Sequence, residues 1–290
     1  MDTQTILVVG ATGMLGEPVA RRLLADGFRV RVLARSPERA RQKLGDGFDV
    51  VQGDVEQPES LRAAVEHCDA VHINLSGGPR PEDYDRIEHR GTVNVVEAAA
   101  GAGVRRLSYL SGASVSEGRT WFPSTGAKFR AEQAIRASGV SYSIYRATWF
   151  MESLPLFVRG NKAVAMGKQR HAWRWVAADD YARMVSTALR VSEARDKVFY
   201  ILGPEAFTFR LALERYCELV RPDVVVSSPP LWFLAAMGLV TRNAALSDVV
   251  RLMRYFEKVP EGGDPAEANA VLGAPMTTLA QWCGERKGKS

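Results

Sequence analysis

The sequence predicts an α/β fold: a doubly wound parallel sheet of the Rossmann type, followed by a smaller, helix-rich C-terminal lobe. Three observations carry this expectation. Short β-rich runs alternate with helical patterns through the first 150 residues, a glycine-rich turn separates the first strand from the first helix, and the alternation loosens after residue 150. Strands separated by helices mean βαβ units, and so a parallel sheet covered on both faces with right-handed crossovers.

Residues 5–10 (TILVVG) read as a largely apolar strand and 14–25 as the helix after it. Residues 28–34 form the second strand. Ser36-Pro37 then opens a helix, with Ser at the N-cap and Pro at the first helical position. Residues 49–52 read as a third strand, 58–66 as a helix, 70–74 as a fourth strand and 82–102 as a long helix. A strand over 106–111, a helix over 127–138 and a strand over 141–146 complete the regular part. Beyond it the pattern gives strands at 174–176 and 197–202 and helices at 179–189 and 209–219. An apolar helix opened by Pro229-Pro230 runs to residue 240, and an amphipathic one covers 246–256.

The turn after the first strand reads Gly10-Ala11-Thr12-Gly13-Met14-Leu15-Gly16. Gly10 makes a tight turn, Gly13 lets the backbone approach a pyrophosphate, and Gly16 permits close packing of helix on strand. The helix N-terminus adds free N–H groups and a partial positive charge. In its strand–turn–helix context the motif predicts a nicotinamide dinucleotide held through Gly10, Thr12, Gly13, Met14, Leu15 and Gly16. Nineteen residues after Gly16 stands Arg35, followed by Ser36. NAD-selective domains place a carboxylate there for the ribose 2′-hydroxyl, whereas an Arg accommodates a 2′-phosphate through paired hydrogen bonds. Arg39 and Lys43 are expected to add positive charge. NADP(H) is therefore expected over NAD(H).

Asp54 and Val55, after the third strand, are expected at the adenine: the carboxylate accepts from the amino group and Val55 packs on the ring. Asn74, Leu75 and Ser76 form a small loop through which the cofactor passes. The expected division is a dinucleotide-binding domain over 1–150 and a substrate lobe over 151–290, with exchange of elements between them allowed. The lobe lies across the carboxyl ends of the strands, where open α/β sheets bind ligands.

Composition narrows the alternatives. Apolar residues at 46% and charged residues at 24% fit a soluble globular chain. The net charge of +5 suits a phosphate-bearing ligand, and no Lys/Arg run resembles a nucleic-acid-binding arm. The Lys287-Gly288-Lys289 tail reads as a frayed end. Three dispersed cysteines and four dispersed histidines give neither a disulfide framework nor a metal-ligand pattern, which fits a reducing cytoplasm. The start, Met1-Asp2-Thr3-Gln4, has no basic n-region and does not read as a signal peptide. The apolar stretch at 231–240 is shorter than the roughly 20 residues a membrane span needs, so no stable insertion is expected. The expected form is a cytoplasmic monomer or homodimer.

Several blocks carry a family resemblance: GATGMLG (10–16), LARSPERA (33–40), GDVEQPESL (53–61), GTVNVVEAA (91–99) and RRLSYLSGASV (105–115). To these are added the block GAKFRAEQAIRASGVSYSIYRATWFMES (126–153), WRWVAADDYARMV (173–185) and YILGPEAFTF (200–209). Together they resemble the NmrA-like group of atypical short-chain dehydrogenase/reductases, which includes isoflavone-reductase-type enzymes, quinone reductases and NADP-sensing regulators. The resemblance implies that Lys128 contacts the nicotinamide ribose. Ordinary members of the wider superfamily carry Tyr-x-x-x-Lys; counting back from Lys128 puts Ser124 where the proton-donating Tyr would stand.

The expected activity is hydride transfer from NADPH to a hydrophobic quinone, enone or other aromatic acceptor. Lys128 would act there as general acid or as a charge beside a developing oxyanion. Ser111, ending the fifth strand, would hydrogen-bond a substrate oxygen, and Thr148 the nicotinamide carboxamide. Trp149 and Phe150 would wall the cleft, with Trp121, Phe122, Trp232 and Phe233 as further aromatic surface. A quinone tolerates the absent Tyr, because its reduced oxygens take protons from water. Two alternatives stand beside this reading: a non-catalytic NADP(H) sensor acting through a protein partner, and a dinucleotide-binding subunit or membrane-associated enzyme docked through residues 231–240.

Overall fold

The structure, a computed structural model, describes residues 4–78 and 80–287. The readings of the first three residues and of the Gly288-Lys289 tail lie outside the described residues. The strands are β1 (Thr5–Val9), β2 (Arg29–Ala34), β3 (Asp49–Gln52), β4 (Ala70–Ile73), β5 (Arg106–Gly112), β6 (Ser141–Ala147), β7 (Val158–Arg159), β8 (Lys162–Val164), β9 (Ala172–Trp175), β10 (Lys197–Ile201), β11 (Glu205–Thr208) and β12 (Val225–Ser227). The helices are α1 (Gly16–Ala25), α2 (Pro37–Leu44), α3 (Pro58–Val65), α4 (Pro81–Asp83), α5 (Gly91–Gly101), α6 (Pro123–Ala137), α7 (Ala178–Arg190), α8 (Phe209–Val220), α9 (Leu231–Val240), α10 (Ala244–Lys258), α11 (Ala266–Leu272) and α12 (Leu279–Gly284). A π-helical segment, Tyr84–Arg90, joins α4 to α5.

Seven strands form one sheet in the order β10-β6-β5-β4-β1-β2-β3, parallel at every pairing. This is the doubly wound order, in which the winding reverses between β1 and β4 and opens a crevice at their carboxyl ends. In the register, Val9 pairs with Ile73, so Gly10 and Asn74 leave the sheet side by side. Gly10 has φ +87°, and a Cβ on it would lie 2.0 Å from the Asn74 carbonyl oxygen. Only glycine fits there.

Both faces of the sheet are buried, which is why β1 reads as an unbroken apolar run. Ile6 and Val8 face a core with Leu23, Val32, Tyr145, Tyr181 and Phe199. Leu7 and Val9 face another with Leu61, Val71, Ile73, Val95, Leu107 and Ile144. A separate core gathers Met151, Leu154, Trp173, Trp175, Phe209, Leu213, Met253 and Trp282. Each fully buried side chain of this size contributes about 1.5–3 kcal/mol.

The second half of the chain completes the first sheet. Strand β10 pairs with β6 along Lys197–Ile201, and α7 packs against α1 beneath the sheet. Other differences from the sequence reading are local. Helix α6 starts at Pro123, four residues before the expected start, because Pro takes its first position and Gly126, without a Cβ, leaves room for the Thr120 carbonyl. Strands β7, β8, β11 and β12 were not expected; they form a three-stranded sheet β12-β8-β7 and a β11–β9 pair. Helix α9 buries Leu231, Leu234 and Gly238 but leaves Trp232 69% and Val240 83% exposed. No helix among the described residues is long and apolar enough to cross a membrane.

Candidate active site

Two adjoining cavities follow the carboxyl ends of the strands. The first, about 760 Å³, is lined by Gly10, Thr12, Gly13, Arg35, Ser36, Arg39, Lys43, Asp54 and Val55, with Asn74, Leu75 and Ser76 at one end. The second, about 340 Å³, shares Asn74, Leu75 and Ser76 and continues past Met14, Leu15, Ser111, Ser124, Lys128, Thr148, Trp149 and Phe150. One loop thus belongs to both. Gly16 lines neither: a Cβ on it would lie 2.1 Å from the Gly10 carbonyl, so it serves close packing of helix on turn.

The first cavity has the shape and chemistry of an adenosine phosphate cradle. Gly13 donates to the Gly10 carbonyl at 3.0 Å, and α1 begins just beyond, aiming its N-terminus at the turn. Arg35 and Arg39 line this end with no ion-pair partner among the described residues. Lys43 is less free than expected: its ammonium donates to the Thr12 carbonyl at 2.9 Å and pairs with Glu17 at 3.1 Å. It braces the glycine turn and neutralises an acidic residue in the first turn of α1. Asp54 Oδ1 accepts from the Glu56 amide at 3.1 Å, closing its own turn.

The second cavity is walled by Leu110, Ala113, Trp149, Phe150, Trp173, Leu252 and Phe256. The aromatic residues expected from the sequence are only partly those found. Trp121 is 61% exposed, Phe122 stacks on Tyr255 at 4.3 Å, and Trp232 and Phe233 lie exposed on α9; none lines the cleft. Trp173, Leu252 and Phe256 do, and the sequence reading missed them. Their signal was weak, because β9 and α10 reach the cleft only through the packing of the C-terminal core.

Four polar groups of the cleft, Lys128, Ser111, Thr148 and Tyr84, are paired with carboxylates. Lys128, with its side chain 18% exposed, has Nζ 3.2 Å from Glu88 Oε2 and 5.8 Å from the centre of the Tyr109 ring. Ser124 stands one turn earlier on α6 and lines the same cleft, so a short hydroxyl occupies the tyrosine position. Ser111 donates to Glu132 Oε1 at 2.6 Å, and Arg146 holds both oxygens of Glu132 at 3.0 and 2.7 Å. Ser111 therefore has lone pairs to offer a ligand and no proton. Thr148 donates to Glu261, which also accepts from the Arg174 amide at 3.0 Å; burial raises the Glu261 carboxyl above its ordinary range. Tyr84 donates to Asp248 at 2.8 Å, and burial followed by that carboxylate pushes the phenol well up. Glu88, Glu132, Glu261 and Tyr84 were missed from the sequence, since each meets its partner through the fold. No cluster of His, Cys, Asp or Glu able to hold a metal occurs among the described residues.

A glycine cradle at the switch point, joined to an apolar cleft with a lysine on its edge, defines the NAD(P)H-binding oxidoreductases of the atypical short-chain type. Residues 10–191 match the family model described as NAD(P)H-binding. The chain belongs to that family.

Among its relatives is the (4-alkanoyl-5-oxo-2,5-dihydrofuran-3-yl)methyl phosphate reductase of Streptomyces griseus, 35% identical over 71% of this chain and 70% of the relative. Another is the photosystem II assembly factor Ycf39 of Trieres chinensis, 24% identical over 81% of this chain and 75% of the relative. The Citrobacter triphenylmethane reductase solved with NADP(H) shares the fold, with a TM-score of 0.76 at 20% identity over 97% of this chain and 99% of that one.

Proposed function

We propose that the protein is an NADPH-dependent reductase of a flat, hydrophobic, conjugated acceptor: a quinone, an enone or another aromatic electrophile. The observation that carries this reading is the second cavity, whose walls are aromatic and aliphatic and whose lining includes a single basic side chain, Lys128. Such a cleft suits an apolar ring, and its one lysine supplies little charge to balance a sugar diphosphate. NADP(H) over NAD(H) rests on Arg35 and Arg39 at the other end.

When bound, the reduced nicotinamide supplies the hydride; the chain positions the acceptor and manages charge. The hydroxyl protons of Ser111, Thr148 and Tyr84 go to Glu132, Glu261 and Asp248. Of the donors that remain at the cleft, the Ser124 hydroxyl among them, Lys128 carries the charge, and its ammonium stabilises the oxygen on which charge develops. Conjugated acceptors need little more, because their reduced oxygens take protons from water. The name of the Streptomyces relative's substrate describes a ring with a double bond conjugated to carbonyls, which supports an enone.

A second reading, an NADP(H)-binding protein that acts through a partner without turnover, is favoured by Ser124 at the tyrosine position and by the assembly-factor relative. NADPH absorbance followed with a panel of quinones and aromatic enones, wild type beside Lys128→Ala, tests both. Steady consumption that drops in the variant supports the reductase and the role of Lys128. Quenching of tryptophan fluorescence by NADPH with no turnover of any acceptor moves the reading to the second.

A further inference from the structure

We infer that Glu88 is a positioning residue, which holds the Lys128 ammonium at the cleft and ties it to the loop shared by the two cavities. The inference rests on the reading of Lys128 given above and adds a residue to it. Glu88 is 3% exposed, yet it lines the cleft. Its Oε1 accepts from the Gly77 amide at 2.7 Å, and its Oε2 lies 3.2 Å from Lys128 Nζ. That second oxygen is close enough for an ion pair but off the line of a hydrogen bond, and no donor among the described residues satisfies it.

A buried carboxylate is expensive to desolvate and is kept only where it is paired. This one joins two parts of the cleft, the shared loop and the lysine. The backbone at Gly77 continues the Asn74–Ser76 loop, and the lysine stands beyond it on α6. Gly77 packs flat against Tyr84, where a Cβ would lie 2.7 Å from the ring, so loop and π-helical segment are seated on each other. The π-helical winding sets the turn of the helix at which Glu88 meets the cleft. Facing Lys128 besides Glu88 are the Tyr109 ring from β5 and the cleft wall at Tyr84 and Ser124. A negative partner at this distance keeps the flexible lysine stem in one orientation.

The test is a double-mutant cycle on the full chain with Glu88→Gln and Lys128→Ala. Gln keeps an acceptor for Gly77 and removes the charge. NADPH affinity of Glu88→Gln, read by tryptophan quenching, should stay within about threefold of wild type, while kcat/KM falls by about tenfold or more, as for a misplaced catalytic group. In the Lys128→Ala background the same change should have less than about a twofold effect, because partners in contact are not additive. An equal loss in both backgrounds overturns the inference.

A readout independent of turnover is the rate at which acetic anhydride acylates Lys128, followed by mass spectrometry against exposed Lys162. Glu88→Gln should speed it severalfold, since the untethered stem presents its amine to the reagent; an unchanged rate overturns the inference. Faster labelling with no reductase activity in wild type would instead sink the functional reading and leave the positioning role standing. Should Glu88→Gln not fold, Lys128→Met is compared with Glu88→Gln/Lys128→Met. The single variant strands a buried carboxylate beside the cofactor and should bind NADPH more weakly than the double; equal affinities overturn the inference.

Discussion

Ser111 gives its hydroxyl proton to Glu132 across 2.6 Å, and Arg146 clamps the same carboxylate from the other side. Glu132 has its side chain 2% exposed and Arg146 15%, so this is a buried, charge-balanced cluster beneath the cleft floor. Ser111→Ala removes one bond to a carboxylate that keeps two others. We expect about 1–3 kcal/mol of lost stability and a fall in kcat of less than about tenfold. Glu132→Ala strands the guanidinium and should lose about 3–5 kcal/mol. Thermal melts beside NADPH-consumption rates check both; a Ser111→Ala loss of a hundredfold in kcat with an unchanged melting temperature would make Ser111 a substrate donor after all.

Arg35 is exposed and lines the wider cavity without an ion-pair partner among the described residues, so its substitution should act on the ligand more than on the fold. Arg35→Asp repels a 2′-phosphate and offers a ribose hydroxyl an acceptor. A charged hydrogen bond contributes about 1.5–3 kcal/mol, so NADPH affinity should weaken by about ten- to a hundredfold while NADH affinity holds or improves. Fluorescence titration with both cofactors decides it. Parallel losses for the two would mean that the residue supports the loop and does not read the phosphate.

His72, on β4, is fully buried, with Nδ1 2.9 Å from Ser108 Oγ and its other nitrogen without a partner among the described residues. Burial pushes its pKa down from 6.5 to about 3. Above pH 6.5 the imidazole is neutral whether the chain is folded or not. Below it the unfolded chain takes up a proton that the folded chain refuses, so stability falls as pH drops from 6.5 towards 3. The slope reaches about 1.4 kcal/mol per pH unit for one proton. Denaturant melts at half-unit steps should show this slope in wild type and a slope lower by one proton in His72→Gln. Identical pH profiles for the two proteins would count against the buried neutral histidine.

The sheet was legible because its strands announce themselves. β3 has the expected ends, Asp49 and Gln52, and β1, β2, β4, β5 and β6 each differ from expectation by one residue at an end. Parallel strands buried on both faces are short apolar runs between helices, and that signal is local. The start of α6 was not, because Pro123-Ser124-Thr125-Gly126 has the composition of a loop; the proline serves as a helix start only once Gly126 meets the Thr120 carbonyl. The two- and three-residue strands β7, β8 and β12 carry too few residues for any period.

The residues that line the wider cavity were legible for the same local reason: turn, spacing and strand end fix Gly10, Gly13, Arg35, Asp54 and Asn74 by position along the chain. What governs their chemistry was not. Thr148 and Glu261 are 113 residues apart, and Tyr84 and Asp248 are 164 apart. Lys128 and Glu88 come from separate helices, and no periodicity relates them. A motif names the side chain that reaches the cleft; the fold decides to whom its proton already belongs.

The π-helical run at Tyr84–Arg90 also fixes the tolerance of the chain to changes in length. It carries Tyr84 and Glu88, which line the cleft, and runs into α5, whose Val95, Val96 and Ala99 are packed into the sheet core. Adding or removing one residue there would turn one part against the other by about 100°, the angle of one helical step. Either Tyr84 and Glu88 would rotate off the cleft or the valines would rotate off the sheet. Residues 81–101 therefore work as a gauge of set length, open to substitution and closed to insertion or deletion, unlike the surface loops around them.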